Sequence, residues 1–366
     1  MSKRLRSGYT TGACAAAAAK GAALALLSGK APETVEIPFP DGSRVIFELC
    51  RCTLDQVEAL ASVVKDAGDD PDVTNGAEIV GTVRRLTADQ IDKACLTFAD
   101  EPRIVIRGGR GVGTVTKPGL PVLVGEPAIN PVPRQMIRAA VAEALDQANT
   151  HDRFAITISV PAGEELAQKT LNHRLGIVGG LSILGTTGIV RPVSAAAWTA
   201  TIEASMAVAR AAGLDEVVLS TGRTSERGAQ RLLNLPEEAY AMMGDYLEFS
   251  LQAATKHGFK QIHLAVMWAK AMKAAMKIPQ THVRHGALEA AEAVDFLATL
   301  GVEAEVLTKL AGVNTAREIY ERLTSMNRPD IIAAVCQAAK RYAEQTSGLP
   351  VTVYLVEANG KVVANG

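Results

Sequence analysis

At residues 216–226 the chain reads Glu216-Val217-Val218-Leu219-Ser220-Thr221-Gly222-Arg223-Thr224-Ser225-Glu226. Glu216–Ser220 is short and apolar, with β-branched residues, and reads as a buried strand. Thr221-Gly222 ends it, and Thr224 or Ser225 can cap a following helix. Outward from this unit the pattern repeats. Ala195–Ala212 reads as a long helix stopped by Gly213, and Glu237–His257 as a second helix. Gln261–Met267 reads as a strand, His285–Leu300 as a helix ending at Gly301, Asp330–Gln345 as a helix and Val351–Val356 as a strand. Such alternation predicts a parallel, doubly wound α/β domain over 191–366. In an open parallel sheet, ligands meet the loops that follow the strands. Thr221 and Gly222 are therefore candidates for cofactor contact, and Glu226 for a ribose hydroxyl, an amine or a proton. A routine strand-to-helix turn explains the same residues equally well.

Before about residue 190 the texture differs. Ala13–Leu27 reads as a helix capped by Thr10 or Thr11 and ended by Ser28-Gly29. Val35–Ile37 and Arg44–Cys50 read as strands around the turn Pro40-Asp41-Gly42-Ser43. Ile79–Leu86, Arg103–Ile106 and Phe154–Val160 read as strands, and Pro131–Asp146 as a helix opened by proline. Gln56–Val64 carries no clear pattern, and Gly68–Asp72 reads as a polar loop. This is an α+β domain with mixed hairpins and helices, placed at 1–190. A chain of 366 residues suits two such domains better than one core. No internal repeat or low-complexity linker separates them.

Composition removes several function classes. Lys and Arg number 38 against 39 Asp and Glu, so no overall field draws nucleic acid or an anionic membrane. Aromatic residues are few at 4%, which leaves the core to Ala, Val, Leu and Ile. The basic start followed by the Ala-rich segment Cys14–Leu27 resembles a signal peptide. Lys20 within it, and Gly8, Thr10, Thr11 and Gly12 before it, argue against that reading. No run is expected to reach the roughly 18–20 apolar residues of a membrane span. The scattered cysteines Cys14, Cys50, Cys52, Cys95 and Cys336 point to reduced thiols and a cytoplasmic setting. Cys50-Arg51-Cys52 lacks a second ligand pair, so no metal site is expected.

Three glycine-rich segments carry the candidate chemistry. Ser7-Gly8-Tyr9-Thr10-Thr11-Gly12-Ala13-Cys14 leads into the first helix with hydroxyls and unpaired N–H donors, a combination that suits an anionic group or a simple cap. Cys14 in that first turn could be activated by the helix field, although a packed thiol is the plainer reading. Arg107-Gly108-Gly109-Arg110-Gly111-Val112-Gly113 lacks the helix that a dinucleotide fingerprint requires, and reads as a hairpin or pocket loop. Gly179-Gly180-Leu181-Ser182-Ile183-Leu184-Gly185-Thr186-Thr187-Gly188 concentrates glycines and hydroxyls beyond what packing alone suggests. Ligand contact is the favoured reading there. His282 and His285 could share a helix face. With no completing ligand nearby, substrate contact by His282 is the better reading.

Taken in order, these segments resemble the cobalt-precorrin-5B C1-methyltransferase family. The similar runs are Arg6–Cys14, Asp70-Pro71-Asp72-Val73-Thr74-Asn75-Gly76-Ala77, Gly111–Gly119, and Gly125-Glu126-Pro127-Ala128-Ile129-Asn130-Pro131-Val132-Pro133-Arg134. Ser159–Glu165, Lys169-Thr170-Leu171-Asn172 and Arg174–Val190 complete the set. The first two hundred residues carry most of the likeness. Asn75 stands where the family pattern has histidine, Thr221-Gly222-Arg223 replaces a Pro-Gly-Asn pattern, and Gln280 replaces an acidic residue before Thr281-His282.

The resemblance implies methyl transfer from S-adenosylmethionine to C1 of a cobalt-bearing, ring-contracted corrinoid, giving cobalt-precorrin-6A. The cofactor would meet Gly180, Ser182, Gly185, Thr186, Thr187, Gly188, Thr221 and Gly222. The substrate's carboxylates would meet Gly8, Tyr9, Thr10, Thr11, Gly12, Lys117, Arg134 and Arg174. His282 or Glu226 could handle a ring proton. Cobalt arrives with the substrate, and a homo-oligomer is compatible with all of this. Two rivals are a small-molecule kinase and a non-catalytic corrinoid carrier. The kinase would cradle ATP phosphates on Leu181–Gly188, with Mg²⁺ on Asp70, Asp72 or Glu226, but no Walker pattern is present. The carrier would leave the second domain without a task.

Overall fold

The computed structural model describes residues 5–86, 96–281 and 288–366. The chain forms two compact units, Met1–Ser194 and Ala195–Gly366.

The first unit is built on an almost pure alanine helix, Thr11–Ser28. Thr10 caps it by accepting from Ala13 N–H at 3.2 Å, and Gly29 closes it in the left-handed region. Ala13 through Ala19 are fully buried, so the helix is enclosed rather than amphipathic. Small side chains allow this. A Cβ added at Gly81 of the neighbouring strand would lie 2.6 Å from Ala19 N, so helix and sheet meet backbone to backbone. The sheet runs in the order Arg51–Leu54, Glu58–Val64, Glu78–Leu86, Arg153–Ser159, Ile104–Gly108, Leu96–Thr97. All pairs are antiparallel except Arg153–Ser159 with Ile104–Gly108. Helix Pro131–Gln147 packs beside the alanine helix. The segment 56–64, which has no clear sequence pattern, supplies the strand Glu58–Val64.

By length and apolarity the alanine helix would qualify as a membrane span, so the expectation that no run reaches that size does not hold. Yet 78% of it is buried inside the unit. Lys20 is satisfied there by Glu143 at 2.5 Å and by the Glu36 carbonyl at 2.8 Å.

In the second unit the sheet order is Tyr240–Met242, Glu216–Ser220, Gln261–Val266, Val351–Val356, Val362–Asn365. The first four strands are parallel and the last is antiparallel. One face carries Val217, Leu219, Ile262, Leu264, Val351 and Val353 into the main core. On the other face Val218, Ala265 and Val356 pack with Ala229 of helix Arg223–Leu232.

One element differs from expectation. Glu237–His257 is a short 3₁₀ turn, the edge strand Tyr240–Met242, and helix Leu247–Lys256. Its apolar spacing suits a helix, but pairing of Tyr240–Met242 with Val218–Ser220 wins, and Gly244 at φ 59° turns the chain between them. Helices Ala304–Leu310 and Ala316–Ser325 have no counterpart in the sequence pattern. The helix expected at 285–300 occupies Ala290–Thr299 among the described residues.

Candidate active site

The candidate segments of the first unit are stitched together. Gly8 and Tyr9 pair antiparallel with Val190 and Ile189. Thr10 N–H donates to the Gly188 carbonyl, and Gly12 N–H to the Leu184 carbonyl, both at 3.0 Å. The Thr11 hydroxyl donates to the Leu184 carbonyl at 3.0 Å and accepts from Leu184 N–H at 2.9 Å. Ile183 bridges to Ile129, and Gly180-Leu181 pairs in parallel with Gly111-Val112. Thr114-Val115 pairs with Ile177-Val178 on one side, while Thr114 bridges Pro127 on the other. The hairpin or pocket-loop reading of Arg107–Gly113 thus resolves into short strands inside a woven loop layer.

This weave gives the glycines a structural reason. A Cβ at Gly180 would sit 2.3 Å from the Gly111 backbone, and one at Gly185 would sit 2.4 Å from Thr10. Gly185 also has φ 130°, which disfavours any side chain. Packing therefore accounts for much of what suggested ligand contact. The groups left facing solvent are Thr186 and Thr187, with Ser182 partly exposed. Tyr9 packs on Phe47 and edge-on to Phe39, with ring centroids 4.7 and 6.2 Å away.

The basic candidates divide. Arg134 is engaged internally, with Nη2 donating to Glu126 at 2.7 Å and Nε to the Ile129 carbonyl at 2.5 Å. Lys117 lies across Gly176, whose added Cβ would be 2.4 Å from the lysine stem. Arg174 precedes Gly176 by two residues in the chain, and Gly176 continues the ladder by accepting from Thr116 N–H at 2.7 Å.

Lys65 was not legible as a candidate in the sequence. It is fully buried and ion-paired with Asp72. Burial works against the Asp72 charge, but hydrogen bonds from Lys65 and Thr74 prevail and lower its pKa. Cys14 is not activated: burial raises its thiol to about 12, against the opposing effect of Lys65.

In the second unit, three loops meet at the carboxyl edge of the parallel strands. Thr221 N–H donates to Ala265 and Met243 N–H to the Ser220 carbonyl. Ser225 bonds the Gly222 N–H and carbonyl at 3.2 and 2.9 Å, holding the turn. Glu226 is buried behind that turn and accepts from Ser220 at 3.1 Å. Beside it lies a network that includes Lys270, again a residue with no sequence signal. Lys270 contacts Asp245 and donates to the carbonyl and hydroxyl of Thr281, both at 3.0 Å. Lys273 donates to the same carbonyl at 3.0 Å. Burial and the neighbouring Lys273 ammonium push Lys270 down to about 8. His282 and His285 lie outside the described residues. Among the described residues, no cluster of three or more His, Cys, Asp or Glu could hold a metal.

Comparison with known proteins is consistent with this layout. The family model described as CbiD matches residues 1–192, and that of the CbiD C-terminal domain matches 280–366. The chain belongs to the CbiD family. Among CbiD relatives, the cobalt-precorrin-5B C(1)-methyltransferase of Desulfotalea psychrophila is 60% identical over 359 residues, covering 98% of this chain and 97% of its own. That of Geobacter metallireducens is 49% identical over 353 residues, covering 94% and 93%. The crystal structure of the CbiD protein of Archaeoglobus fulgidus is 26% identical, covers 88% of this chain and 85% of its own, and has a TM-score of 0.40. The departure from the CbiD pattern at Asn75 has a local reading. Its Oδ1 accepts from Ala67 N–H at 2.9 Å, a task that a neutral histidine nitrogen could also perform.

Proposed function

We propose that this protein transfers the methyl group of S-adenosylmethionine to C1 of cobalt-precorrin-5B, as the names of its relatives state for them. The observation that carries the proposal is 60% identity across nearly the whole of both chains.

The residues present fit the cofactor at the carboxyl edge of the second unit. A Cβ at Gly222 would meet nothing within 4 Å, so that turn borders open space. The Thr221 hydroxyl stands beside it, 3.3 Å from the buried Ser225 hydroxyl that holds the turn, and suits a ribose or a carboxylate. S-adenosylmethionine, when bound, supplies an electrophilic methyl group and needs no protein nucleophile. What remains for the chain is to align the acceptor carbon and bind the carboxylates that fix its orientation. The Glu226 carboxyl is buried and turned inward on Ser220, away from the open side of the turn. His282 stays the proposed proton handler on sequence grounds. The exposed thiol of Cys50, with Cys52 two residues away, supports a reducing cytoplasmic setting.

Calorimetric titration with S-adenosylhomocysteine tests the reading, with ATP in parallel. Micromolar affinity for the former, about -8 kcal/mol, together with methylation of the corrinoid from labelled donor, is the expected result. Binding of ATP alone would instead favour a kinase, and corrinoid binding without transfer would favour a carrier.

A further inference from the structure

Resting on that reading, the structure raises a narrower matter: which surface receives the corrinoid ring. Around Val115 the woven layer forms a small three-stranded ladder. Thr114-Val115 pairs with Ile177-Val178, and the Val115 N–H donates to the Glu126 carbonyl at 3.0 Å on the other side. Strand alternation sends Val115 and Ile177 inward, where they pack with Val122 and Ala128. The partners Thr114 and Val178 are left outward, and Val178 is 57% exposed.

The ladder's turn adds to this apolar surface. Glu126 N–H donates to the Leu123 carbonyl at 3.1 Å with Gly125 at φ 91°, which closes a tight turn over Leu123-Val124-Gly125-Glu126. Turn positions ordinarily favour Asn, Asp, Ser, Gly and Pro. Here they carry Leu123 at 71% and Val124 at 56% exposure. Scattered exposed aliphatics need no explanation, but two adjacent ones on this turn and a third on the ladder it closes make a candidate contact surface. The Lys117 stem borders it, lying over Gly176 two residues from Val178, and Arg174 lies two residues before Gly176 in the chain.

We propose that this ladder is the docking face for the corrinoid. The apolar ring edge rests on Leu123, Val124 and Val178, and peripheral carboxylates pair with Lys117 and Arg174. Charge complementarity selects this occupant: a flat apolar macrocycle rimmed by carboxylates needs an apolar floor with cations at its border. An uncharged protein partner would have no use for that border.

The test uses the full-length chain and two stable probes, a cobalt corrinoid bearing free carboxylates and its methyl ester. The double variant L123D/V124D alters only an exposed turn and should retain the wild-type melting temperature. It should weaken binding of both probes by roughly tenfold or more, raise KM for the corrinoid, and leave affinity for S-adenosylhomocysteine unchanged. K117Q should weaken the carboxylate probe several-fold and the ester hardly at all. Unchanged corrinoid affinity in both variants would overturn the docking face while leaving methyl transfer intact. So would a change of oligomeric state with unchanged corrinoid affinity, since it would assign the patch to a second copy of the chain. Failure of the wild-type protein to bind corrinoid or transfer methyl would sink the functional reading itself.

Discussion

Lys20 of the alanine helix and Glu143 of helix Pro131–Gln147 meet at 2.5 Å, with the lysine side chain only 5% exposed. Arg44 also grips Glu143 through both terminal guanidinium nitrogens, at 2.9 and 3.0 Å. The pair pins together the two helices of the first unit. Glu143→Gln leaves a buried ammonium with mainly the Glu36 carbonyl, and should cost about 2–3 kcal/mol in chemical denaturation. The pH dependence has a defined sign. The Arg44 contacts, aided by Lys20 and opposed by burial, lower Glu143 to about 2 from an ordinary 4.5. A depressed folded pKa contributes stability above the unfolded value, lost as pH falls through the folded one. The wild type should therefore lose its advantage over Glu143→Gln between pH 4.5 and about 2. An unaltered difference across that window would show that the pair contributes nothing.

Gly179 and Gly180 are neighbours in sequence and opposite in tolerance. A side chain at Gly179 meets open space and pays only for its φ of 84°. Gly179→Ala should cost about 1 kcal/mol. Gly180→Ala drives a Cβ into the Gly111 backbone, and the loops must separate. It should cost more than about 3 kcal/mol and lower the melting temperature accordingly. Equal melting temperatures for the two variants would contradict the weave.

That contrast shows what sequence reading reaches. Glu216–Ser220 and Val351–Val356 were legible because each is a compact apolar run between turn signals, and both occupy the expected residues. The glycines of 179–188 announced a backbone requirement but not its cause, since Gly111 and Thr10 approach only after folding. Tyr240–Met242 was misread because an edge strand depends on its partner at Val218–Ser220, which local spacing does not encode. Lys270 carries no local signal of its role. Its partners, the half-buried Asp245 and the buried Thr281, come from other loops.

If position 75 needs only an acceptor, histidine should serve there as well as asparagine. Asn75→His can still accept from Ala67 N–H and should change stability by less than about 1 kcal/mol. Asn75→Leu, which offers no acceptor, should cost about 1–2 kcal/mol. Guanidinium melts of the three proteins decide between them. If the histidine and leucine variants lose equal stability, the acceptor role is wrong and shape alone governs the position.

Asp245 and Lys270 offer a test at the edge of the parallel sheet. Asp245 also accepts from the Thr281 hydroxyl at 3.0 Å, and its carbonyl accepts from Thr281 N–H at 3.0 Å. Thr281→Val removes the hydroxyl alone, and the backbone bonds and the ion pair survive. It should cost about 1 kcal/mol. Asp245→Asn removes the charge facing a half-buried ammonium and should cost about 1–3 kcal/mol. Because the two changes share one network, the double variant should lose less than the sum of the singles. With Asp245 neutralised, Lys270 loses its counter-charge, so its amine should titrate below its wild-type value. Titration by isotope-edited NMR would read this directly. A Lys270 amine that titrates unchanged in Asp245→Asn would mean that the carboxylate does not hold its proton, and the network would reduce to hydrogen bonds on Thr281.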